Sequence, residues 1–280
     1  MATLTMNPNN VRLRTMLIPR EHGAWGMLLV PLATGAVAAM RHGVNAVALA
    51  LFVVAALALF WLRTPVEAWF GTSALKAQTE EERSAVLKAA LVAGVIALAS
   101  IGWLFFAGLA RGLLMIGCIA ALAFAMQALV RKLGRKGRMP AQIIGAIGLT
   151  STAAGAYYVA TGRLDSVAVA LWIANWLFAS DQIHFVQVRI RSSRVVNIGQ
   201  KLRHGYLFAV IQVVLLLVIV AGSRLGTWPA FTVLAFAPVL VRGTLWFVRG
   251  SQPLNVHWLG ITELAHALIF GVLLSTAFLI

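Results

Sequence analysis

The chain reads as an all-α, polytopic membrane protein with about nine spanning helices, and its composition and patterning carry that class. Of its 280 residues 61% are hydrophobic and only 11% charged, far from the balance of a soluble domain. Leu, Ala, Val and Ile fill uncharged runs of about 17 to 23 residues, each able to cross about 30 Å of hydrocarbon as a helix. The runs do not alternate with a period of two, which excludes a β-barrel. The single Cys118 lies inside an apolar run, offers no internal disulfide and reads as a small buried hydrophobe.

In chain order, a basic arm over 1–20 comes first, with Pro8 and Pro19 arguing against one long helix. It is not a secretory signal, since the run behind it is a full-length span without a small-residue cleavage site. Spans are expected at about 24–40, 46–62, 89–109, 112–130, 139–160, 166–188, 205–222, 228–248 and 258–280, in a single transmembrane domain. Breakers separate them: Arg41-His42-Gly43, Gly134 to Pro140, Thr161-Gly162-Arg163, Gly222 to Pro229 and Gly250 to Pro253. Glu80-Glu81-Glu82-Arg83 reads as a solvated helical cap or linker.

Lys and Arg of short loops stay on the cytoplasmic side. Of the 23 Lys and Arg, all but Arg41, Arg111, Arg163 and Arg224 fall on one set of loops. This predicts an inner-membrane protein with its N-terminus inside and its C-terminus outside. It also accounts for the net charge of +15 without nucleic acid, because the charge forms collars facing anionic lipid. In a Cys118→Ala background, cysteines placed at Arg135 and Ser193 are expected to react with an impermeant thiol reagent only from the cytoplasmic side; labelling from the periplasm alone reverses the orientation.

The polar residues gather at the cytoplasmic ends of spans. Asp181 to Arg194 reads DQIHFVQVRIRSSR, and at about 100° per residue Asp181, His184, Gln187 and Arg191 fall on one side of a helix, suited to a common cavity. Arg20, Glu21 and His22 enter the first span, as an interfacial anchor or as part of a site. Arg63 and Glu67, four apart, are placed to pair around Pro65. Lys201 and Arg203 precede the seventh span, Arg242 lies near the inner end of the eighth, and Glu263 and His266 stand three apart in the ninth. Ionisable groups at membrane depth usually face a bundle interior or hydrated cavity and serve a function.

A cavity lined by Arg20, Arg63, Arg189, Arg191 and Arg203 suits a phosphate or carboxylate head, because guanidinium offers planar bidentate donors, while apolar helix walls take a lipid tail. Asp181, His184 and Glu67 then serve as acid or base groups; Glu21, His22, Gln187, Lys201, Glu263 and His266 complete the binding set. No Walker loop, dinucleotide Gly fingerprint, GxSxG or HExxH motif occurs, and His and Cys spacing offers no zinc site. The competing class is a proton-coupled transporter of an anionic solute, with acid–imidazole pairs as the relay.

The segments IPREHGAWGMLLVPLATG, RTPVEAW and HFVQVRIR resemble the YwiC-like family of bacterial membrane proteins. More distantly, nine helices with polar motifs at the inner ends of the second and sixth resemble the UbiA-type intramembrane prenyltransferases. That resemblance implies a UbiA-prenyltransferase-like bundle and a transferase acting on an isoprenoid or lipid phosphate. Those enzymes hold Mg²⁺ with two Asp-rich motifs; the corresponding places here keep only Glu67 and Asp181 as carboxylates. One acid per site among several arginines does not favour Mg²⁺, so arginine is expected to neutralise the ligand, and no cofactor is identified.

Overall fold

The computed structural model describes residues 8–18, 22–71, 75–134, 136–192, 197–249 and 254–280, and among them every regular element is helical. The helices are α1 (Pro8–Leu17), α2 (His22–Ala39), α3 (Ala46–Phe70), α4 (Glu80–Leu104), α5 (Ala110–Arg131), α6 (Arg138–Thr161), α7 (Ser166–Arg191), α8 (Ile198–Arg224), α9 (Thr232–Val248) and α10 (Val256–Leu279). The expected spans correspond to α2 to α10 with shifted ends: 89–109 runs past α4 through the turn that follows it, and 228–248 begins four residues before α9. Six stretches among the described residues are long and apolar enough to cross a membrane: Gly23–His42, Ala46–Phe70, Glu80–Arg131, Arg138–Thr161, Gly199–Arg224 and Val256–Leu279. Glu80–Arg131, at 52 residues, is more than twice the length one crossing needs. It is interrupted by a π-helical turn over Phe105–Leu109, where Gly108 takes φ 85°, a left-handed conformation that a side chain would oppose. Helix α7 is long enough to cross but carries the polar stripe, and α9 is apolar but has only 17 residues.

The chain divides into two compact units, Met1–Glu21 with Ala46–Ala110, and His22–Asn45 with Arg111–Ile280. In the first, α3 and α4 pack along each other and α1 lies against both. The basic arm is thus in part an ordered helix. Met16, buried with Ala68, Ala77 and Val86, anchors it, and the Trp61 indole donates to Leu17 O at 2.7 Å. Arg12 pairs with Glu82 at 2.7 Å.

The acidic run opens α4 as a capping box, in which Thr79 accepts from the Glu82 amide and Glu82 accepts from the Thr79 amide. Thr79→Ala is expected to cost about 1 kcal/mol, read as a lowered unfolding midpoint of the detergent-solubilised protein. Helix α3 continues through Pro65 to Phe70, past its expected end near 62. Proline removes one backbone bond, while the Arg63–Glu67 pair, 2.8 Å apart, spans the same turn.

In the second unit α6 is the central helix, with α2 and α7 against it; α10 bridges α2 and α9, and α8 lies between α7 and α9. Small residues permit the close approaches. A Cβ on Gly35 would run into the Ala153 backbone, and Gly145 and Gly148 make room for Gln127 and Phe124 of α5. Gly162 ends α6 at φ 71°, its amide donating to Tyr158 O at 2.7 Å. Asp165 caps α7 by accepting from the amides of Val167 and Ala168. Trp172 and Trp176 of α7 donate to the carbonyls of Ile147 and Ile143 on α6, which sets the register between these helices.

Cys118 is exposed on α5, contrary to its expected burial. In a bilayer a lipid-facing helix surface is as apolar as a core, so hydropathy does not separate the two.

Candidate functional site

The polar stripe of α7 reaches its partners within the second unit. Asp181, 2% exposed, accepts from Arg242 Nη2 at 2.7 Å through Oδ2, and from Gln212 Nε2 through Oδ1. The second terminal nitrogen of Arg242 pairs with Glu263 Oε2. One guanidinium from α9 therefore clamps two buried carboxylates, one from α7 and one from α10. Its plane lies over the Phe185 ring, 4.0 Å from guanidinium carbon to ring centroid. Gln182 donates to Glu263 O at 2.7 Å, tying α7 to the α10 backbone beside the pair. Three polar atoms of the group have no hydrogen-bond partner among the described residues: Arg242 Nε, Glu263 Oε1 and Gln212 Oε1.

The acids thus take an arginine as their direct partner where sequence spacing suggested imidazoles. His184 is buried with its ring edge-on to Phe208, centroids 5.2 Å apart, and His266 Nδ1 lies 2.7 Å from Thr262 O. Asp181, His184, Gln187 and Arg191 face different neighbours. They span about 120° of helix surface, enough to address two adjacent helices. Gln187 accordingly donates to Gln142 of α6 at 3.2 Å, and Arg191 is exposed.

Toward the C-terminal end of α7 an apolar layer follows. Phe185, Val188, Phe208, Trp246 and Leu259 form one buried cluster, with Phe247 and Leu254 packed against it. On all four helices these residues stand one to two turns from the triad level, toward the basic residues. There, Lys201 is buried and donates to Trp246 O at 3.1 Å and to Arg249 O, closing the C-terminus of α9. Arg189 is half-buried, and Arg191 and Arg203 are exposed. None of these three arginines forms an ion pair among the described residues.

On the other side of the triad a narrow cleft lies between α2, α6, α7 and α10, lined in part by Met27, Thr150, Asn175, Gln182 and Ala267, with room for about one water. Asn175 donates to Thr34 Oγ1 at 3.0 Å at its deeper end.

Arg63 and Glu67 belong to the first unit, where they pair with each other. Arg20, Glu21 and the side chain of His22 lie outside the described residues. Sequence reasoning noted Arg242 but did not place it in the site, and it passed over Gln182 and Gln212. A lone cation inside an apolar run requires a buried counter-ion, and that requirement was the available signal for Arg242.

A family model described as YwiC-like protein matches residues 18–158, about half of the chain. Comparisons with curated proteins and with solved structures gave no match. Asp181, Arg242 and Glu263 all lie beyond the matched segment.

Proposed function

The chain belongs to the YwiC-like family, and we propose that this integral membrane protein holds an amphiphilic anion, such as an isoprenoid or other lipid phosphate, at the basic end of α7 and α8 on the cytoplasmic side. The observation that carries the proposal is the division of labour among the arginines. Arg242 is committed to two carboxylates, whereas Arg189, Arg191 and Arg203 form no ion pair among the described residues. Guanidiniums without a carboxylate partner at a headgroup-level helix junction are matched to a phosphate, which they bind in bidentate fashion. Arg189, half-buried, is the best placed to make a desolvated contact. Any transferase chemistry then follows from binding, with Asp181 and His184 one to three turns away along α7 and behind the apolar layer.

The test is binding of a short-chain prenyl phosphate to the purified protein in nanodiscs. Arg189→Lys is expected to weaken binding by about 1–3 kcal/mol, since a compact ammonium replaces a planar fork in a partly desolvated contact, and Arg191→Lys by less. A chelator is expected to leave the affinity unchanged. Unchanged affinity in both variants, or binding abolished by chelation, would sink the reading, the latter in favour of a metal-bridged diphosphate site.

A second reading is a proton-coupled transporter of an anionic solute. The buried Asp181–Arg242–Glu263 group at membrane depth favours it, since such groups commonly lie on ion and proton paths. Solute uptake into proteoliposomes that depends on an imposed pH gradient would distinguish it from lipid binding.

A further inference from the structure

We propose that Asp181, Arg242, Glu263 and Gln212 form a buried site for one exchangeable proton, carried on Glu263. The geometry of this group carries the inference, which is independent of the lipid-anion reading and deepens the proton-coupled one.

Charge comes first. Two carboxylates and one guanidinium leave one uncompensated negative charge, and the side chains of Arg242, Asp181 and Glu263 are only 9%, 1% and 11% exposed. Uncompensated charge in such surroundings is costly, and the group reaches neutrality by binding one proton.

The hydrogen bonds assign the proton. Both oxygens of Asp181 are used, Oδ1 by the Gln212 amide and Oδ2 by Arg242, which suits a carboxylate. Among the described residues, only Oε2 of Glu263 receives a donor, while Oε1 is buried without a partner. A protonated carboxyl with its hydroxyl at Oε1 leaves Oε2 as the acceptor for Arg242. Gln212, 6% exposed, carries a second unpartnered acceptor, Oε1, on the amide head already bound to Asp181. The head therefore has acceptor capacity to spare if a proton shifts within the group.

Among the described residues, four charged or titratable groups act on Glu263. Arg242 approaches from α9, Asp181 and Arg189 from α7, and His266 from one turn further along α10. The described α2 and α6 residues lining the cleft beside Gln182 include no ionisable side chain, and α8 contributes the neutral Gln212. Neither Arg189 nor His266 forms an ion pair with Glu263 among the described residues, and His266 is turned to the Thr262 carbonyl. A water-sized cleft runs past Gln182 and Asn175, and the Gln182 amide that borders it donates to Glu263 O. Among the described residues no set of three or more His, Cys, Asp or Glu side chains gathers to hold a metal ion, so the donor set suits a proton better than a cation.

The test is infrared difference spectroscopy of the full-length protein in nanodiscs, with no anion added. The carbonyl stretch of a protonated carboxylic acid is expected at neutral pH, shifted by exchange into D₂O. It should vanish in Glu263→Gln, where the amide mimics the neutral acid. It should vanish also in Asp181→Asn, where one carboxylate fewer leaves Glu263 to ionise against Arg242. The second variant keeps Glu263 in place and decides the matter even if the first does not fold. Absence of the band from the wild-type protein, its failure to shift in D₂O, or its persistence in either variant overturns the proposal. Because no anion takes part, that failure leaves the lipid-anion reading untouched, while it removes the proton site from the transporter reading.

Discussion

Arg242→Ala is expected to cost the second unit about 3–5 kcal/mol, the range for breaking a buried pair by removing one partner. Both Asp181 and Glu263 lose the donor they share, in surroundings where water does not replace it. The cation over Phe185 is lost as well. The check is the thermal unfolding of the detergent-solubilised variant followed by tryptophan fluorescence. Combining Arg242→Met with Asp181→Asn and Glu263→Gln should recover most of the loss, because the remaining groups are neutral. If Arg242→Ala alone unfolds at the wild-type temperature, the guanidinium does not hold these helices together, and the site built around it falls with it.

Gly35→Ala is the second change expected to be large, about 3 kcal/mol, at the upper end for overpacking because the obstacle is backbone. The new Cβ would meet the carbonyl group of Ala153 on α6, which cannot rotate away as a side chain would. Helices α2 and α6 would have to separate, and the Asn175–Thr34 hydrogen bond beside them would lengthen. Gly26→Ala, on the same helix, provides the control. Its Cβ would stand 3.6 Å from Leu264 and 3.9 Å from Ala267, ordinary contact distances, and its backbone is helical. That substitution is expected to be neutral or stabilising by up to about 1 kcal/mol through helix propensity. Equal unfolding temperatures for the two variants would show that the α2–α6 approach is looser than the structure has it.

The same contrast shows why a glycine's role is opaque before folding. Both residues sit in one apolar run, and nothing local distinguishes the one pressed against a backbone from the one with space. Only the position of α6 does.

Properties that depend on neighbours along the chain were legible in the sequence alone. The membrane class follows from composition and run length, and the helix positions from apolar runs separated by breakers. The Arg63–Glu67 pair follows from an i,i+4 spacing, since the helix itself brings such residues together. The concentration of polar residues on α7 was equally visible, because it is a property of one segment. The partners of those residues were not. Arg242 lies 61 positions from Asp181 and 21 from Glu263, separations that no helical period relates. Whether Asp181 meets the imidazole three residues on or a guanidinium from another helix is settled by which faces of α7, α9 and α10 pack together, and at what height. That depends on steric fit across the bundle, on Trp172 and Trp176 bonded into α6 and on Gly35 against Ala153, and a buried ion group forms only once that register is set.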